Sequence, residues 1–222
     1  MMLEAIQLAR TDERTGAMLL HPCDLTIAAA DRLVITGPSG AGKSVLMRAL
    51  ALLDLPLGEL RWHGKPVTRA AVPAFRSAVA YVRQRPALFD GHVEDNLRVP
   101  YTLHIHRQRR YERAAALAYF ARADRQAGFL DQRADELSGG EQQLVALVRT
   151  LLLAPTIVLL DEPTASLDPQ TVLAVEAMID HWMQQTPGAA FAWVTHDPAQ
   201  ARRVGTRFAT LRAGVLEAAA AP

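Results

Sequence analysis

Gly37-Pro38-Ser39-Gly40-Ala41-Gly42-Lys43-Ser44 places three glycines ahead of a cation and a hydroxyl. Glycine reaches backbone angles closed to other residues, so successive amides in such a loop can turn inward onto an anion. The loop follows an apolar run, Arg32-Leu33-Val34-Ile35-Thr36, and precedes 44–53, a stretch without internal glycine or proline. A strand would therefore deliver the loop and a helix would leave it, adding the positive end of a helix dipole. That is phosphate-binding chemistry. The candidate contacts are Gly37, Pro38, Ser39, Gly40, Ala41, Gly42, Lys43, Ser44 and Val45, with Lys43 on the outer phosphates and the Ser44 hydroxyl on Mg²⁺.

Ile157-Val158-Leu159-Leu160-Asp161-Glu162 is an apolar run closed by two carboxylates. Adjacent charges are not tolerated inside a buried strand, so both belong at its open end, the edge where such sheets bind ligands. Asp161 suits Mg²⁺, which takes few carboxylates and keeps water ligands. Glu162 is placed to orient or deprotonate an attacking water. A strand-terminal acidic cap is the plainer alternative for the pair.

Ser138-Gly139-Gly140-Glu141 opens a further helical stretch. Ser138 is a good N-cap, and exposed amides at a helix start make an anion site. A capped helix alone accounts for Ser138 and Glu141 but not for two successive glycines. Gln84 follows the strand candidate Val79-Ala80-Tyr81-Val82, and His196 follows the strand candidate 190–195. Each alone reads equally as a surface or capping residue.

The elements that must position these groups alternate. Strands are expected within the first 36 residues, at 5–8, 25–27 and 32–36, then at 79–82, 156–160 and 190–195. Helices are expected at 44–53 and from Glu141 to near Ala154. Between Arg85 and about Asp135 strand signals vanish, arginines crowd 107–113 and alanines fill 114–123. The expectation is an α/β protein with a parallel sheet, N-terminal antiparallel strands and an inserted α-helical subdomain. A single domain 1–222 would then comprise a core of 1–84 and 151–217 and a helical subdomain at about 85–150. The tail 218–222 reads as disordered.

Composition narrows the partners. With 24 basic and 23 acidic side chains among 222 residues, the net charge of +1 gives no general drive toward nucleic acid. One cysteine, Cys23, excludes an internal disulfide framework and fits a reducing compartment. The most apolar run, 144–160, is broken by Arg149 and Pro155 and falls short of the roughly 20 residues a membrane span needs. His104 and His106 lack cysteine or carboxylate neighbours, so a solvated or packed face explains them better than a metal.

Taken together, these motifs resemble the ATP-binding subunits of ABC (ATP-binding cassette) transporters. The likeness covers 3–217 and holds five motifs in family order. It implies that the 37–44 loop is the Walker A motif, Leu137-Ser138-Gly139-Gly140-Glu141-Gln142-Gln143 the signature, Gln84 the Q-loop glutamine, also a metal contact, and His196 the switch histidine. Asp168, in Pro163-Thr164-Ala165-Ser166-Leu167-Asp168, resembles the D-loop aspartate at the subunit interface. The resemblance assigns Glu162, His196 and Gln84 to catalysis, with ATP and Mg²⁺ bound. It implies that the signature faces the γ-phosphate of ATP held by a second copy, so that ATP joins a head-to-tail homodimer. It further implies an integral-membrane permease docked near 85–89 and a place on the cytoplasmic face of the membrane.

Leu88-Phe89-Asp90-Gly91-His92-Val93-Glu94-Asp95-Asn96-Leu97-Arg98-Val99-Pro100 is similar to the Fet-type iron-export subunits. Importer and lipoprotein-release ATPases share the same engine and stand as alternatives. A soluble ABC protein acting on DNA or ribosomes would carry two cassettes or long coiled coils, and a non-hydrolysing cassette would lose Glu162 or His196. Three departures stand out: Val45 where a hydroxyl residue is usual, Leu144 where an arginine is usual, and no aromatic in Ala9-Arg10-Thr11-Asp12 to stack on adenine. Arg10 is the candidate substitute for that aromatic.

Overall fold

Alternating apolar residues near the N-terminus form β1 (Leu3–Thr11) and β2 (Met18–Ile27), an antiparallel pair. Gln7 breaks the register with a φ of 49°, and the Asp24 carboxylate accepts its displaced amide at 2.7 Å. The computed structural model describes residues 2–85, 87–165 and 167–220. They fall into two compact units: Met1–Tyr81 with Thr156–Glu162 and Pro187–Pro222, and Val82–Pro155 with Pro163–Thr186.

The first unit holds two sheets. In one, β4 (Leu57–Trp62) and β5 (Lys65–Pro66) extend the N-terminal pair, giving the antiparallel order β2-β1-β4-β5. The other contains β3 (Arg32–Thr36), β6 (Val79–Val82), β7 (Ile157–Asp161), β8 (Ala190–Val194), β9 (Arg207–Arg212) and β10 (Val215–Ala219). Its order is β10-β9-β3-β8-β7-β6. β9, β3, β8 and β7 run parallel, and β10 closes one edge antiparallel. Every residue of β7 and of β8 is buried, as expected of central parallel strands covered on both faces.

α1 (Lys43–Leu50) buries Leu46, Met47, Ala49 and Leu50 and packs on β1, β2 and β7, so strands of both sheets share one core around it. The helix expected over 44–53 therefore stops early. Leu52 takes the left-handed conformation, φ 54°, and Arg48 pairs with Asp54 through two bonds of 2.7 Å. α2 (Val72–Ala78) and α7 (Pro198–Val204) complete the helices of this unit. The tail also differs from expectation. Ala218 and Ala219 pair with Ala209 and Phe208 as part of β10, and 221–222 lie outside the described residues.

The second unit is built from α3 (Val93–Arg98), α4 (Arg113–Phe120), α5 (Gly139–Leu151) and α6 (Pro169–Gln185). The stretch expected to be mainly helical is largely short 3₁₀ turns around α3 and α4. α4 tightens into a 3₁₀ turn over Ala121–Ala123, and Asp124 stops that turn by entering the left-handed region at φ 54°. α5 buries Gln143, Leu144, Val145, Ala146, Leu147 and Val148 in succession, and Leu151, so its middle is covered on every side, as in a central helix. β4, α2, α6 and the β9–β10 hairpin were not among the expected elements, although α6 carries a period-3.6 stripe of Ala174, Val175, Met178, Ile179 and Trp182.

Candidate phosphate site

β3 carries Leu33, Val34 and Ile35 through the core, and the chain leaves it at Thr36 into the glycine loop. Gly37, Gly40 and Gly42 all have positive φ, 144°, 76° and 99°. Gly37 and Gly42 are also pressed by neighbouring backbone. A Cβ on Gly37 would lie 2.1 Å from the Leu211 carbonyl oxygen, and one on Gly42 would lie 2.8 Å from that of Leu19. Only glycine fits both the dihedrals and the space. Pro38, Ser39 and Gly40 are exposed, and Ala41 is buried, its carbonyl accepting from the Gly214 amide at 2.9 Å.

Gly42 is the N-cap of α1, left-handed and without a side-chain capping bond. By contrast α5, α6 and α7 are capped by the side chains of Ser138, Asp168 and Asp197. The opening amides of α1, on Lys43, Ser44 and Val45, are thus offered to an anion rather than to a cap. Lys43 is 6% exposed. Its ammonium donates to the Gly37 and Pro38 carbonyls at 2.8 and 2.9 Å and lies 3.9 Å from a Glu162 carboxylate oxygen. Ser44 is exposed, and Val45 is partly buried against the core, which leaves its amide as its contribution.

Asp161 ends β7 and is 3% exposed, and its carboxylate accepts from the Tyr81 hydroxyl at 2.8 Å. Glu162 leaves the strand with φ 47°, its amide bonded to the Val194 carbonyl at 3.2 Å. A non-glycine residue held left-handed is strained, and such strain persists where surrounding structure enforces it. His196 is exposed in the turn between β8 and α7, where the Thr195 hydroxyl accepts the Asp197 amide at 3.1 Å. The first unit therefore brings together the loop, Asp161, Glu162 and His196. The donors Ser44 and Asp161 are hard oxygens, one neutral and one charged, a set that fits Mg²⁺ completed by phosphate and water.

Gln84, Ser138, Gly139, Gly140 and Asp168 belong to the second unit. Gln84 is exposed. Ser138 caps α5 in a reciprocal box: its hydroxyl accepts the Glu141 amide at 3.3 Å while Glu141 accepts the Ser138 amide at 3.0 Å. Asp168 caps α6, taking the Gln170 and Thr171 amides at 3.0 Å each and the Thr171 hydroxyl at 2.6 Å. The hydroxyl and the two amides hold its carboxyl below the usual range. Ser166, in the same motif, lies outside the described residues, as does Pro86 near the expected docking loop. Phe89, in that loop, is 58% exposed, and its amide and carbonyl are clamped by the fully buried Asn96 side chain at 2.7 and 2.9 Å.

His106 is buried and its pKa is lowered by that burial, while exposed His104 shares a 2.7 Å bond with Arg107. Among the described residues no group of three His, Cys, Asp or Glu could hold a metal ion. Sequence reasoning missed Tyr81. It lies in an expected strand, but nothing in the pattern marks its hydroxyl as the partner of Asp161.

Arg10 is the side chain expected to stack on a nucleotide base. Its guanidinium donates to the Leu55 carbonyl at 2.8 Å and to Glu13 at 3.2 Å, so a stacking role would require it to leave both. With no aromatic in 9–12, base selectivity is expected to be poor, GTP supporting turnover nearly as well as ATP. Steady-state kinetics with both nucleotides on the wild type and Arg10→Ala checks this. A strong ATP preference that survives the substitution would refute it.

The ABC transporter family model matches residues 20–165. The chain is 36% identical over 182 residues to the probable iron export ATP-binding protein FetA of Escherichia coli K12, covering 82% of this chain and 79% of that one. It is 37% identical over 216 residues to the nickel import ATP-binding protein NikO of Rhodobacter capsulatus, covering 92% and 84%. Its fold superposes on the dimeric ATP-binding cassette MJ0796 in a post-hydrolysis state with ADP and Pi, at a TM-score of 0.82 and 26% identity over 98% of both chains.

Proposed function

The chain belongs to the ABC transporter family as an ATP-binding, ATP-hydrolysing subunit, and from that membership we propose that it works as an ATP-joined homodimer driving a membrane permease. The observation that carries the nucleotide-binding part of this reading is the uncapped start of α1, with Lys43 folded into the glycine loop beside Glu162. We read the first unit as the nucleotide core and the second as the helical subdomain.

In this mechanism the amides of 39–45 and the Lys43 ammonium take the phosphates, which replace the Gly37 and Pro38 carbonyls as partners of the ammonium. Ser44 and Asp161 would hold Mg²⁺, with Tyr81 fixing the Asp161 carboxylate. Bound there, Mg²⁺ would draw charge from the outer phosphate oxygens. Glu162 accepts the proton of the attacking water, and His196 donates toward the γ-phosphate. Ser138, Gly139, Gly140 and Asp168 serve the site of the second copy, and Gln84 senses the occupied site.

Lys43→Ala is expected to weaken ATP binding by about tenfold to a hundredfold, since a charge-assisted bond to phosphate contributes roughly 1.5–3 kcal/mol. Equilibrium binding of a fluorescent ATP analogue checks it, and unchanged affinity would remove the phosphate assignment.

Among the described residues no helix is long and apolar enough to cross a membrane. We place transport in a separate permease, docked at the exposed Phe89 loop on the cytoplasmic face. The similarity to FetA and the 88–100 segment favour iron export. NikO, by its name an importer, favours a second reading in which the same engine drives metal uptake. Metal flux in vesicles carrying the permease, measured in each direction, separates the two.

A further inference from the structure

The signature of this chain lacks the usual arginine after its glycines, and Leu144 is buried there instead, 1% exposed. A cation nevertheless reaches the same turn from elsewhere. The Arg125 guanidinium lies 3.3 Å from one oxygen of Glu141, and the other oxygen of Glu141 accepts both the Ser138 amide at 3.0 Å and the Ser138 hydroxyl at 2.7 Å. Arg125 is braced over the Phe129 ring at 5.7 Å. It sits just beyond the left-handed Asp124 that ends the α4 region, and Gln170 at the start of α6 binds Asp124 at 3.0 Å. Sequence, turn and packing thus converge on one carboxylate.

That carboxylate has two effects on Ser138. A serine hydroxyl owns a single proton, and here Glu141 takes it, so the hydroxyl must turn away from Glu141 before it can donate to a phosphate. Glu141 also carries negative charge at a helix start expected to receive an anion, and like charges at close range oppose binding. A paired guanidinium offsets both. It neutralises the charge and supplies Glu141 with a donor to keep when the serine hydroxyl turns away. We propose that Arg125 is a positioning residue for the signature serine, acting through Glu141 to let Ser138 receive the γ-phosphate of a second copy.

This rests on the ATP-joined dimer proposed above. Its prediction is a split between two readouts. Arg125→Ala should leave ATP affinity of the dilute protein unchanged, because the phosphate loop is untouched. It should raise about tenfold the protein concentration giving half-maximal ATPase activity, which reports ATP-driven association. Arg125→Lys should recover most of the loss by restoring a charge. Arg125→Ala with Glu141→Gln should recover it as well, because glutamine still closes the capping box but carries no charge.

The measurement is ATPase activity of the four proteins across protein concentration, with nucleotide binding measured in parallel. A merely structural role would not be rescued by removing a second side chain. If the wild type depends on concentration but Arg125→Ala matches it, or if the double variant is no better than the single, the proposal fails alone. If wild-type activity per molecule does not vary with concentration, the dimer reading fails and takes the proposal with it.

Discussion

Glu162→Gln is expected to lower kcat by about a hundredfold to ten-thousandfold while leaving ATP affinity within a few-fold of wild type, the scale at which a positioned general base acts. The side chain sits where that separation of effects should be clean. Lys43 donates its bonds to the Gly37 and Pro38 carbonyls and stands 3.9 Å from Glu162, so the amide substitution removes a charge near the ammonium while both carbonyl bonds stay. Glutamine keeps the shape and the strained backbone at φ 47°. Binding contacts persist and proton acceptance is lost. With turnover blocked, ATP should accumulate in the joined state, so the variant should elute as a dimer in Mg-ATP and as a monomer in ADP. Light scattering after size exclusion, paired with phosphate release, reads both halves. A variant that hydrolyses at the wild-type rate and remains monomeric would show that Glu162 is not the base.

Much of this site was legible in the sequence because its chemistry is local in the chain. Gly37, Gly40 and Gly42 announce a loop of positive φ, and Leu33 to Ile35 announce the strand that must deliver it. Asp161 and Glu162 can only end a strand as apolar as the one before them. What stayed hidden depends on residues far apart in sequence. Leu211 and Leu19 explain why Gly37 and Gly42 admit no side chain, yet they come from β9 and β2. Tyr81 reaches Asp161 across 80 positions, and Arg125 reaches Glu141 through a turn no pattern marks. The helical stretch was over-read for a related reason. Arginine and alanine have high helix propensity, but propensity is a weak prior, and the turns around Pro100 and Asp124 divide 85–138 into short pieces. β4 escaped because its burial does not alternate, whereas α6 was legible and overlooked: Ala174, Val175, Met178, Ile179 and Trp182 make a period-3.6 stripe behind the Asp168 cap and Pro169.

A mixture of Lys43→Ala and Gly140→Asp proteins is expected to recover roughly a quarter of wild-type ATPase activity, although each alone should be nearly inactive, because a two-fold dimer places unlike residues opposite one another. Random pairing makes half the dimers mixed. In each of those, one site combines the intact phosphate loop of the Gly140→Asp subunit with the intact signature of the Lys43→Ala subunit, and the other site carries both lesions. Gly140 is a suitable place for the second lesion. Its φ is not positive, and a Cβ there would meet only the Leu167 Cδ2 at 3.2 Å, a flexible side-chain end, so the fold should tolerate the change. The added carboxylate would instead repel a γ-phosphate approaching the start of α5. Complementation therefore tests assembly rather than chemistry. If every site were complete within one chain, the mixture would show only the sum of two inactive proteins at any ratio. If sites are shared, activity should peak at equal amounts and fall on either side. A titration of one variant into the other at fixed total protein gives that curve, and a flat line would end the claim that Ser138 and Gly140 act on a neighbour's nucleotide.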